Sequence, residues 1–437
     1  MSETGSEVRM LLSCWDGGRA HLNRTLSVAS EAMSRDITCG FIVSDKYAED
    51  AQMVVGRENT FVIPTRPEST APPPYPFPLY SHAYGHGQRL MGLGFNNIDW
   101  LAKTTRQEIN AIRTFKPSVI VNDYRDTIRT SAEACEVPVV GITHTTGNVD
   151  GYTFGWWIAP PPGTKIPTCV DSFNEIRSYY DLPPFDDERY MFSGDTSILP
   201  SSPSIDPLIK NTHPSYYVGK LARSDMTGGN WKPMPSSAAK HRFFSYVGEA
   251  SRPDYGYPAL MSGAMESMPN AGFYIDGNVY DYNLASIGGR IADGSIIISK
   301  TLPGPQVIPD CTAVICHGGN GTVMQALTHG KPIICVGPYQ TDCSSIMRRV
   351  VEAGGGIMIN HSKKPLDKIS APDLGEGVDI YGYWSSEITS DDIKGALVEV
   401  AENRTYTERA LSLGQEIASL GGVERAVDIC CEVARQN

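Results

Sequence analysis

The feature that most constrains the fold is an apolar segment that runs directly into a glycine-rich turn. Residues 313–316 read Ala-Val-Ile-Cys, and residues 317–322 continue as His-Gly-Gly-Asn-Gly-Thr. Glycines let a backbone turn sharply and approach a ligand closely. The helix that follows would present N–H groups and the positive end of its dipole at the same point. The pattern therefore predicts a strand, a turn and a helix that together bind a diphosphate.

The alternative interpretation of this turn is a connection between a strand and a helix that binds nothing. Three glycines combined with His, Asn and Thr at a helix start favour a binding site over that alternative. The turn is not a Walker loop, because the lysine and its spacing are missing. It also lacks the Gly-x-Gly-x-x-Gly spacing of dinucleotide-binding folds.

The first half of the chain has the order of a parallel α/β sheet. A strand is expected at 8–13, followed by a glycine-containing loop and a helix. Apolar residues at 22, 26, 29 and 33 fall on one face of that helix, since their spacings are 4, 3 and 4. Further strands are expected at 37–43, 118–122 and 137–143, with a helix over 97–115. The proline-rich stretch 64–78 predicts a surface loop.

The second half repeats this arrangement after a linker-like segment at 223–241, which is rich in Gly, Pro and Ser. Strands are expected at 243–247, 271–275, 295–299, 312–316 and 332–336. Helices are expected at 260–268, 322–328 and 344–353, and the chain is expected to be helical from about residue 391. A chain of 437 residues is too long for one common domain, so two α/β units in series are predicted.

Composition removes several functional classes. Lysine and arginine number 37 against 49 acidic residues, so the net charge is −12, which argues against non-specific binding to nucleic acid or anionic membranes. The ten cysteines form no Cys-x-x-Cys pair, so neither a zinc ribbon nor a dithiol redox site is indicated. No apolar window is long enough to span a membrane, and the N-terminus has no signal-peptide core. A cytoplasmic protein with reduced thiols is expected.

The segment 305–356 resembles the donor-binding signature of family 1 glycosyltransferases. The elements that carry the resemblance occur in the family's order and spacing: Pro305-Gln306, His-Gly-Gly-Asn-Gly-Thr at 317–322, Ala326-Leu327, Gly330-Lys331-Pro332, Pro338, Asp342 and Gly354-Gly355-Gly356. The first half is similar to the family more weakly, through residues 21–26 and through 182–184 and 218–219. Together these matches extend over most of the chain.

The resemblance implies an α/β protein of the GT-B fold, in which two Rossmann-like domains face a central cleft. Residues 1–225 would form the acceptor-binding domain, 226–241 the linker and 242–415 the nucleotide-sugar domain. Residues 416–437 would be a C-terminal helix that crosses back onto the N-terminal domain.

The implied activity is inverting transfer of a sugar from a dTDP- or UDP-linked donor to a hydroxyl or amine of a small acceptor, as in bacterial natural-product and antibiotic biosynthesis. The resemblance implies no metal or other cofactor, no nucleic acid and no membrane span, in a monomer or homodimer.

The resemblance also implies roles for individual residues of the donor site. Gln306 would meet the edge of the nucleobase, and Asp342 would meet the hydroxyls of the sugar. The residues that would hold the diphosphate are His317, Gly319, Asn320, Gly321 and Thr322.

Two departures from the family pattern concern the donor. Gln325 replaces a glutamate that holds the ribose, and Cys343 replaces a glutamine that contacts the sugar. A deoxyribose nucleotide, as in dTDP-sugars, has one hydroxyl fewer and needs the lost carboxylate less. A deoxysugar donor is the hypothesis that both changes favour.

The base of such a reaction must take a proton from the acceptor hydroxyl, and histidine suits this role near neutral pH. His21 stands where the first strand gives way to the first helix, and it matches the base of the family, with Ala20 where the family has glycine. Asp123, at the end of the strand at 118–122, matches the carboxylate that orients the base. Asp126 is a second candidate, expected on the following helix.

Three further residues are candidates for the acceptor pocket: His82, His144 and Trp156. His82 and His86 are four residues apart, which on a helix would suit a metal, but no carboxylate follows at ligand spacing and a role in an acceptor loop is favoured. Trp156 belongs to an aromatic cluster that could line a pocket or pack in the core. Two alternative functions remain: a nucleotide-sugar epimerase on the same fold, or a glycosyltransferase-like helper without activity.

Overall fold

The computed structural model describes the backbone of residues 8–66, 90, 93–151, 168–222, 232–235, 239–246, 257–300, 302–336, 341–359, 367–370, 379–382 and 388–436. Side chains are described for the same residues except 341–344, 367–370 and 379–382. Most of the predicted proline-rich loop at 64–78 and part of the predicted linker at 226–241 lie outside these ranges.

In the described residues, seven strands form the first sheet, in the order β3-β2-β1-β4-β5-β6-β7. The strands are β1 (Arg9–Cys14), β2 (Thr38–Val43), β3 (Thr60–Val62), β4 (Val119–Asp123), β5 (Val139–Ile142), β6 (Thr196–Leu199) and β7 (Ser215–Tyr217). The accompanying helices are α1 (Arg19–Ser34), α2 (Ala48–Val55), α3 (Ile98–Phe115), α4 (Ile128–Glu133), α5 (Val170–Ser178) and α6 (Tyr190–Ser193). Neighbouring strands are parallel throughout.

The second sheet contains six of the described strands, in the order β10-β9-β8-β11-β12-β13, and these pairs are also parallel. The strands are β8 (His241–Tyr246), β9 (Ala271–Asp276), β10 (Ile296–Ser299), β11 (Ala313–Cys316), β12 (Ile333–Val336) and β13 (Gly356–Ile359). The helices between them are α7 (Tyr257–Glu266), α8 (Leu284–Ala292), α9 (Gly304–Val307), α10 (Asn320–Thr328) and α11 (Thr341–Glu352).

The remaining elements follow the second sheet in the chain. An antiparallel pair, β14 (Asp367–Ser370) and β15 (Asp379–Gly382), precedes three helices. These helices are α12 (Ser390–Glu402), α13 (Arg404–Ala418) and α14 (Gly422–Gln436).

The central strands are buried because helices cover both faces of each sheet. Met10, Leu11 and Leu12 of β1 have no exposed surface although consecutive side chains point to opposite faces. The same holds for Val314 and Ile315 of β11. Such continuous apolar runs are typical of parallel strands with helices on both sides.

The last described helix, α14, packs against the first sheet. Val427 and Cys430 of α14 are fully buried in the same apolar cluster as Met10 of β1 and Leu22 of α1. An exposed ion pair joins the two helices at the surface, where Arg35 donates to the Asp428 carboxylate at 2.7 Å. The chain therefore closes its first sheet with its final residues.

The prediction of two parallel α/β units is confirmed. Several short elements were not anticipated, among them β3, β6, β7 and α9. The helix predicted after Asp123 begins at Ile128, so Asp126 lies in the preceding turn and the expectation of a helical Asp126 is wrong. The carbonyl of Arg125 accepts from Ile128 N–H at the start of this helix.

Two glycines in the C-terminal helices have opposite surroundings, and their alanine variants should change stability in opposite directions. A Cβ atom at Gly414 of α13 would lie 2.0 Å from the carbonyl oxygen of Leu327 in α10, whereas one at Gly395 of α12 meets no described atom within 4 Å. Gly414→Ala should lower the free energy of unfolding by about 1–3 kcal/mol, because the two helices must separate. Gly395→Ala, the matched control, should raise it by about 0.5–1 kcal/mol. Urea unfolding followed by circular dichroism measures both, and equal effects would contradict the close approach of α10 and α13.

Candidate active site

The structure brings together the two residues predicted to be the base and its partner. His21 is the third residue of α1, and Asp123 is the last residue of β4. Their distance is set by the pairing of β1 with β4, in which Cys14 lies opposite Asp123. The His21 Nδ1 atom lies 2.6 Å from Asp123 Oδ1. When Nδ1–H donates to the carboxylate, the lone pair of the neutral ring is on Nε2, which is the arrangement a general base needs.

The turn after β4 is shaped by the side chain of Asn122. Its Oδ1 accepts from Ser13 Oγ at 2.9 Å and from the backbone N–H of Arg125 at 3.0 Å, and its Nδ2 donates to the Arg125 carbonyl. Tyr124 between them has a φ of 58°, in the left-handed region that non-glycine residues rarely adopt. Asn122 thus holds the turn that follows Asp123 in a single strained conformation.

A third residue, Arg24, binds the same carboxylate and was not singled out from the sequence. Its Nε donates to Asp123 Oδ2 at 2.7 Å and its Nη2 to Oδ1 at 2.8 Å, so the guanidinium is bidentate. Arg24 follows His21 by three residues on α1 and therefore shares its face of the helix. The only feature of the sequence that could have indicated a role for Arg24 was its spacing of three residues from His21.

Burial and charge determine the state of this cluster. Burial alone would raise the pKa of the Asp123 carboxyl, but the Arg24 guanidinium and the His21 imidazole outweigh it and lower this pKa to about 2. The neighbouring thiol of Cys14 is buried beside this carboxylate, and both effects raise its pKa to about 12. Asp123 is therefore an anion and Cys14 a neutral thiol at physiological pH.

Two aromatic residues that sequence reasoning missed surround the histidine. The ring of Trp15 lies edge-on to His21 at 5.4 Å, and the ring of Tyr124 lies edge-on to it at 5.6 Å. Both rings also pack against a buried apolar cluster that includes Phe95 and Phe192. The candidate base thus faces an aromatic wall.

His144 connects this cluster to the second sheet. It follows β5, is 4% exposed, and stacks on Tyr124 with 6.4 Å between ring centroids. On its other side its Nε2 lies 3.4 Å from the amide nitrogen of Asn320, which donates to the carbonyl of Pro200 at 2.8 Å. Asn320 is the first residue of α10. The glycine-rich turn of the second sheet therefore contacts the first half of the chain directly.

The glycine-rich turn, which is predicted to hold a diphosphate, leaves open space around the start of α10. Gly318 has a φ of 90°, and a Cβ at Gly319 would lie 2.7 Å from the imidazole of His317, so the ring lies directly over Gly319. The N-cap of α10 is Gly319, and no described side chain caps this helix start. A Cβ at Gly321 would meet no described atom within 4 Å. The start of α10 is therefore accessible to an anionic ligand.

The residues predicted to hold the nucleoside lie on two helices that approach each other. Gln306 is in α9 and Gln325 is in α10, where a Cβ at Gly304 would lie 2.9 Å from the Gln325 side-chain oxygen. Asp276, at the end of β9, was not anticipated. It accepts from the backbone N–H of Leu302 at 3.0 Å and so fixes the segment that leads to Gln306. Burial raises the pKa of the Asp276 carboxyl to about 6, although this hydrogen bond opposes the rise.

The structure leaves four of the sequence candidates without described side chains. Asp342 lies in the first turn of α11, where the backbone alone is described. His82, His86 and Trp156 lie outside the described residues. Among the described side chains, no three His, Cys, Asp or Glu residues are grouped closely enough to hold a metal ion. No helix of the described ranges has the length and apolarity that a membrane span requires.

Comparison with protein families supports the resemblance seen in the sequence. Residues 289–373 match the C-terminal domain of erythromycin biosynthesis protein CIII-like proteins. A curated relative, the erythronolide mycarosyltransferase of Saccharopolyspora erythraea, is 30% identical over 143 residues, which cover 29% of this chain and 28% of the relative. The aligned segment thus spans less than a third of that relative. The resemblance of residues 305–356 to family 1 glycosyltransferases is confirmed.

Comparison with solved structures extends over nearly the whole chain. The glycosyltransferase of kitacinnamycin matches with a TM-score of 0.67 at 15% identity, covering 98% of this chain and 99% of that one. The spinosyn rhamnosyltransferase complexed with thymidine diphosphate matches with a TM-score of 0.61 at 15% identity, covering 97% and 99%. The prediction of the GT-B fold is therefore confirmed.

The lowered pKa of Asp123 has a measurable effect on stability. Its folded-state pKa of about 2 lies below the ordinary 3.8, so the carboxylate stabilises the fold above pH 4 and loses this contribution as the pH falls towards 2. The free energy of unfolding of the wild type should exceed that of Asp123→Asn by an amount that shrinks by about 1 kcal/mol from pH 6 to pH 3. Urea titrations at both pH values measure this. A difference that stays constant with pH would show that Asp123 titrates normally.

Proposed function

We propose that this chain is an inverting glycosyltransferase that moves a sugar from a dTDP- or UDP-linked donor to a hydroxyl or amine of a small molecule. Natural-product biosynthesis is the proposed setting, because the matched family and relative belong to it. The acceptor oxygen forms a bond to the anomeric carbon while the bond from that carbon to the diphosphate breaks. The acceptor proton passes to His21, and the diphosphate leaves with the electron pair.

The observation that carries this proposal is the pairing of His21 with the buried Asp123 carboxylate at the carboxyl end of the first sheet. The His21 side chain is 18% exposed, whereas that of Asp123 is 0% exposed, so the histidine is the accessible member. The glycine-rich turn contacts His144 through Asn320, and His144 stacks on Tyr124 beside His21. The candidate proton acceptor and the candidate anion-binding helix start are thus connected, and sugar transfer requires both groups.

On the donor side we assign the diphosphate to His317 and to the backbone around Gly319, Gly321 and Thr322. The free first turn of α10 and the imidazole supply the positive potential, so the proposed reaction uses no metal and no other cofactor. Asn320 would act partly through its contact with Pro200, since its amide donates to that carbonyl. Asp342 is assigned to the sugar hydroxyls.

The nucleoside is assigned to Gln306 and Gln325. A neutral amide at 325 forms weaker hydrogen bonds to a ribose than a carboxylate does, and this favours a deoxyribose. A structural neighbour, the spinosyn rhamnosyltransferase, was solved with thymidine diphosphate. We therefore favour a dTDP-linked donor.

The acceptor is assigned to the space beside Trp15 and Tyr124, with His144 at its far side and His82 and Trp156 as further proposed contacts. Rigid aromatic rings next to the base favour a flat or apolar acceptor. An acceptor in this space would place its hydroxyl close to His21, so that the proton could pass directly to the imidazole.

His21→Ala should lower kcat by about 10²–10⁴, because the acceptor proton loses its acceptor. Binding of the nucleotide diphosphate, measured by calorimetry, should remain at the wild-type level. His241→Ala is the matched control, since His241 is at the amino end of β8 and the glycine-rich turn follows the carboxyl end of the parallel neighbour β11. The readout is release of the nucleotide diphosphate in the presence of a panel of polyketide and phenolic acceptors. A kcat near the wild-type value in His21→Ala would reject the assignment.

A donor panel tests the nucleotide preference and the alternative functions together. The wild type should turn over dTDP-linked sugars faster than UDP-glucose, and Gln325→Glu should shift this ratio towards UDP. Faster turnover of UDP-glucose by the wild type would contradict the dTDP assignment. Epimerisation of the donor without an acceptor would indicate an epimerase. No turnover of any donor with any acceptor would indicate an inactive helper.

A further inference from the structure

The Asp123 carboxylate is shared by two nitrogen-bearing side chains of the same helix turn. Its Oδ1 lies 2.6 Å from His21 Nδ1 and 2.8 Å from Arg24 Nη2. Arg24 Nη2 is itself 3.0 Å from His21 Nδ1. When Nδ1 carries the hydrogen that is donated to the carboxylate, this contact is a close approach of two donors; in the other tautomer Nδ1 would accept from Nη2.

The charges of this trio are poorly screened. The Arg24 side chain is 8% exposed and Asp123 is fully buried. With His21 neutral, the guanidinium and the carboxylate cancel and the trio carries no net charge. Protonation of His21 would leave a net positive charge in a largely buried site, with a second cation 3.0 Å from the ring.

We propose that Arg24 is a positioning residue that holds both oxygens of Asp123 and keeps His21 neutral in the resting protein. The bidentate contact turns Oδ1 towards Nδ1, which fixes the tautomer with its lone pair on Nε2. The permanent charge of Arg24 offsets the carboxylate that would otherwise favour the imidazolium. The consequence for catalysis rests on the proposed function, but the effect on His21 does not.

The other groups around His21 do not supply the positive charge that offsets the Asp123 carboxylate. The rings of Tyr124 and Trp15 are close to perpendicular to the imidazole, at interplanar angles of 73° and 84°. Cys14 is a neutral thiol, because burial raises its pKa to about 12. Beyond Tyr124 lies His144, with Asp206 Oδ2 at 3.6 Å from its Nδ1. The titratable or charged residues at the start of α1, in the turns after β1 and β4 and directly after β5 are Cys14, Asp16, Arg19, Arg24, Asp123, Tyr124, Arg125, Asp126 and His144.

The side chains of Arg125 and Arg19 are directed to other partners. Arg125 donates to Glu108 at 2.6 Å, and Arg19 donates to Asp50 at 2.8 Å. Arg24 is therefore the described arginine whose side chain contacts the His21–Asp123 pair.

The direct test is an NMR pH titration of the full-length protein labelled with ¹³C at the histidine rings. The His21 signal among nine histidines is assigned with His21→Gln. Removing the charge with Arg24→Met should raise the pKa of His21 by about one to three pH units. Arg24→Lys keeps the positive charge but loses the bidentate guanidinium, and it should leave the pKa of His21 near the wild-type value. An unchanged or lowered pKa in Arg24→Met would overturn the proposal, as would an equal rise in both variants.

A double-mutant cycle keeps the test decisive if Arg24→Met does not fold. Asp123→Asn retains the guanidinium, and Asp123→Asn with Arg24→Met removes both charges and leaves no unpaired buried ion. The pKa of His21 should be higher in the double variant than in Asp123→Asn, and equality would overturn the proposal. Arg35→Met is the matched control at the C-cap of the same helix, where Arg35 pairs with the partly exposed Glu31, and it should not move the His21 signal.

Activity supplies an independent readout. The acidic limb of kcat/KM against pH should move to higher pH in Arg24→Met, and Arg24→Lys should restore it. A merely structural role of Arg24 would lower kcat at all pH values without moving this limb, and that result would overturn the proposal. If His21→Ala retains full activity while the NMR shift is present, the proposed function fails and the effect of Arg24 on His21 stands.

Discussion

The site depends on the parallel alignment of the strands in the two sheets. When neighbouring strands run in the same direction, their carboxyl ends meet at one edge, and residues distant in sequence become neighbours there. Asp123 ends β4, His144 follows β5, and the turn before α1 follows β1 at this edge of the first sheet. A shift of one residue in the β1–β4 pairing would turn Asp123 to the other face of the sheet and separate it from His21. The register of two buried strands therefore determines whether the candidate base has a partner.

The two halves of the chain also meet at this edge, through one short polar contact. Asn320 begins the helix behind the glycine-rich turn, and its amide donates to the carbonyl of Pro200 in the first half. Its neighbour His144 stacks on Tyr124, which lies against His21. A continuous series of contacts therefore runs from the candidate anion site to the candidate base. A ligand that repositions the glycine-rich turn would move Asn320, which is the first residue of this series of contacts.

Much of the architecture could be predicted because its elements are long and strongly patterned. Helix α1 has apolar residues at helical spacing, and the apolar runs of β1, β4 and β11 allow little besides buried strands. Strands of three or four residues, such as β3 and β7, do not carry enough residues to show alternation. The start of α4 was misjudged because Asn122 and Tyr124 extend the turn before it, and no pattern in the sequence predicts a left-handed tyrosine.

The site could be predicted in part for a related reason. His21 and Asp123 stand at strand ends, and the topology alone brings such positions together. The role of Arg24 depends on how far a long side chain reaches and which oxygen it meets, and these are properties of packing that spacing does not reveal. Asn320 was expected to face a ligand, yet its amide nitrogen donates to a carbonyl of the other half. The family resemblance contained no information about that contact.

The position of α14 has a consequence for how the protein is made. Buried residues of this helix, including Val427 and Cys430, complete the apolar cluster that begins with Met10 of the first strand. During synthesis the N-terminal sheet emerges from the ribosome early, but one side of its core stays uncovered until residues 422–436 have been translated. The sheet that is synthesised first is therefore completed only after the second sheet, and until then its uncovered apolar face is prone to aggregation.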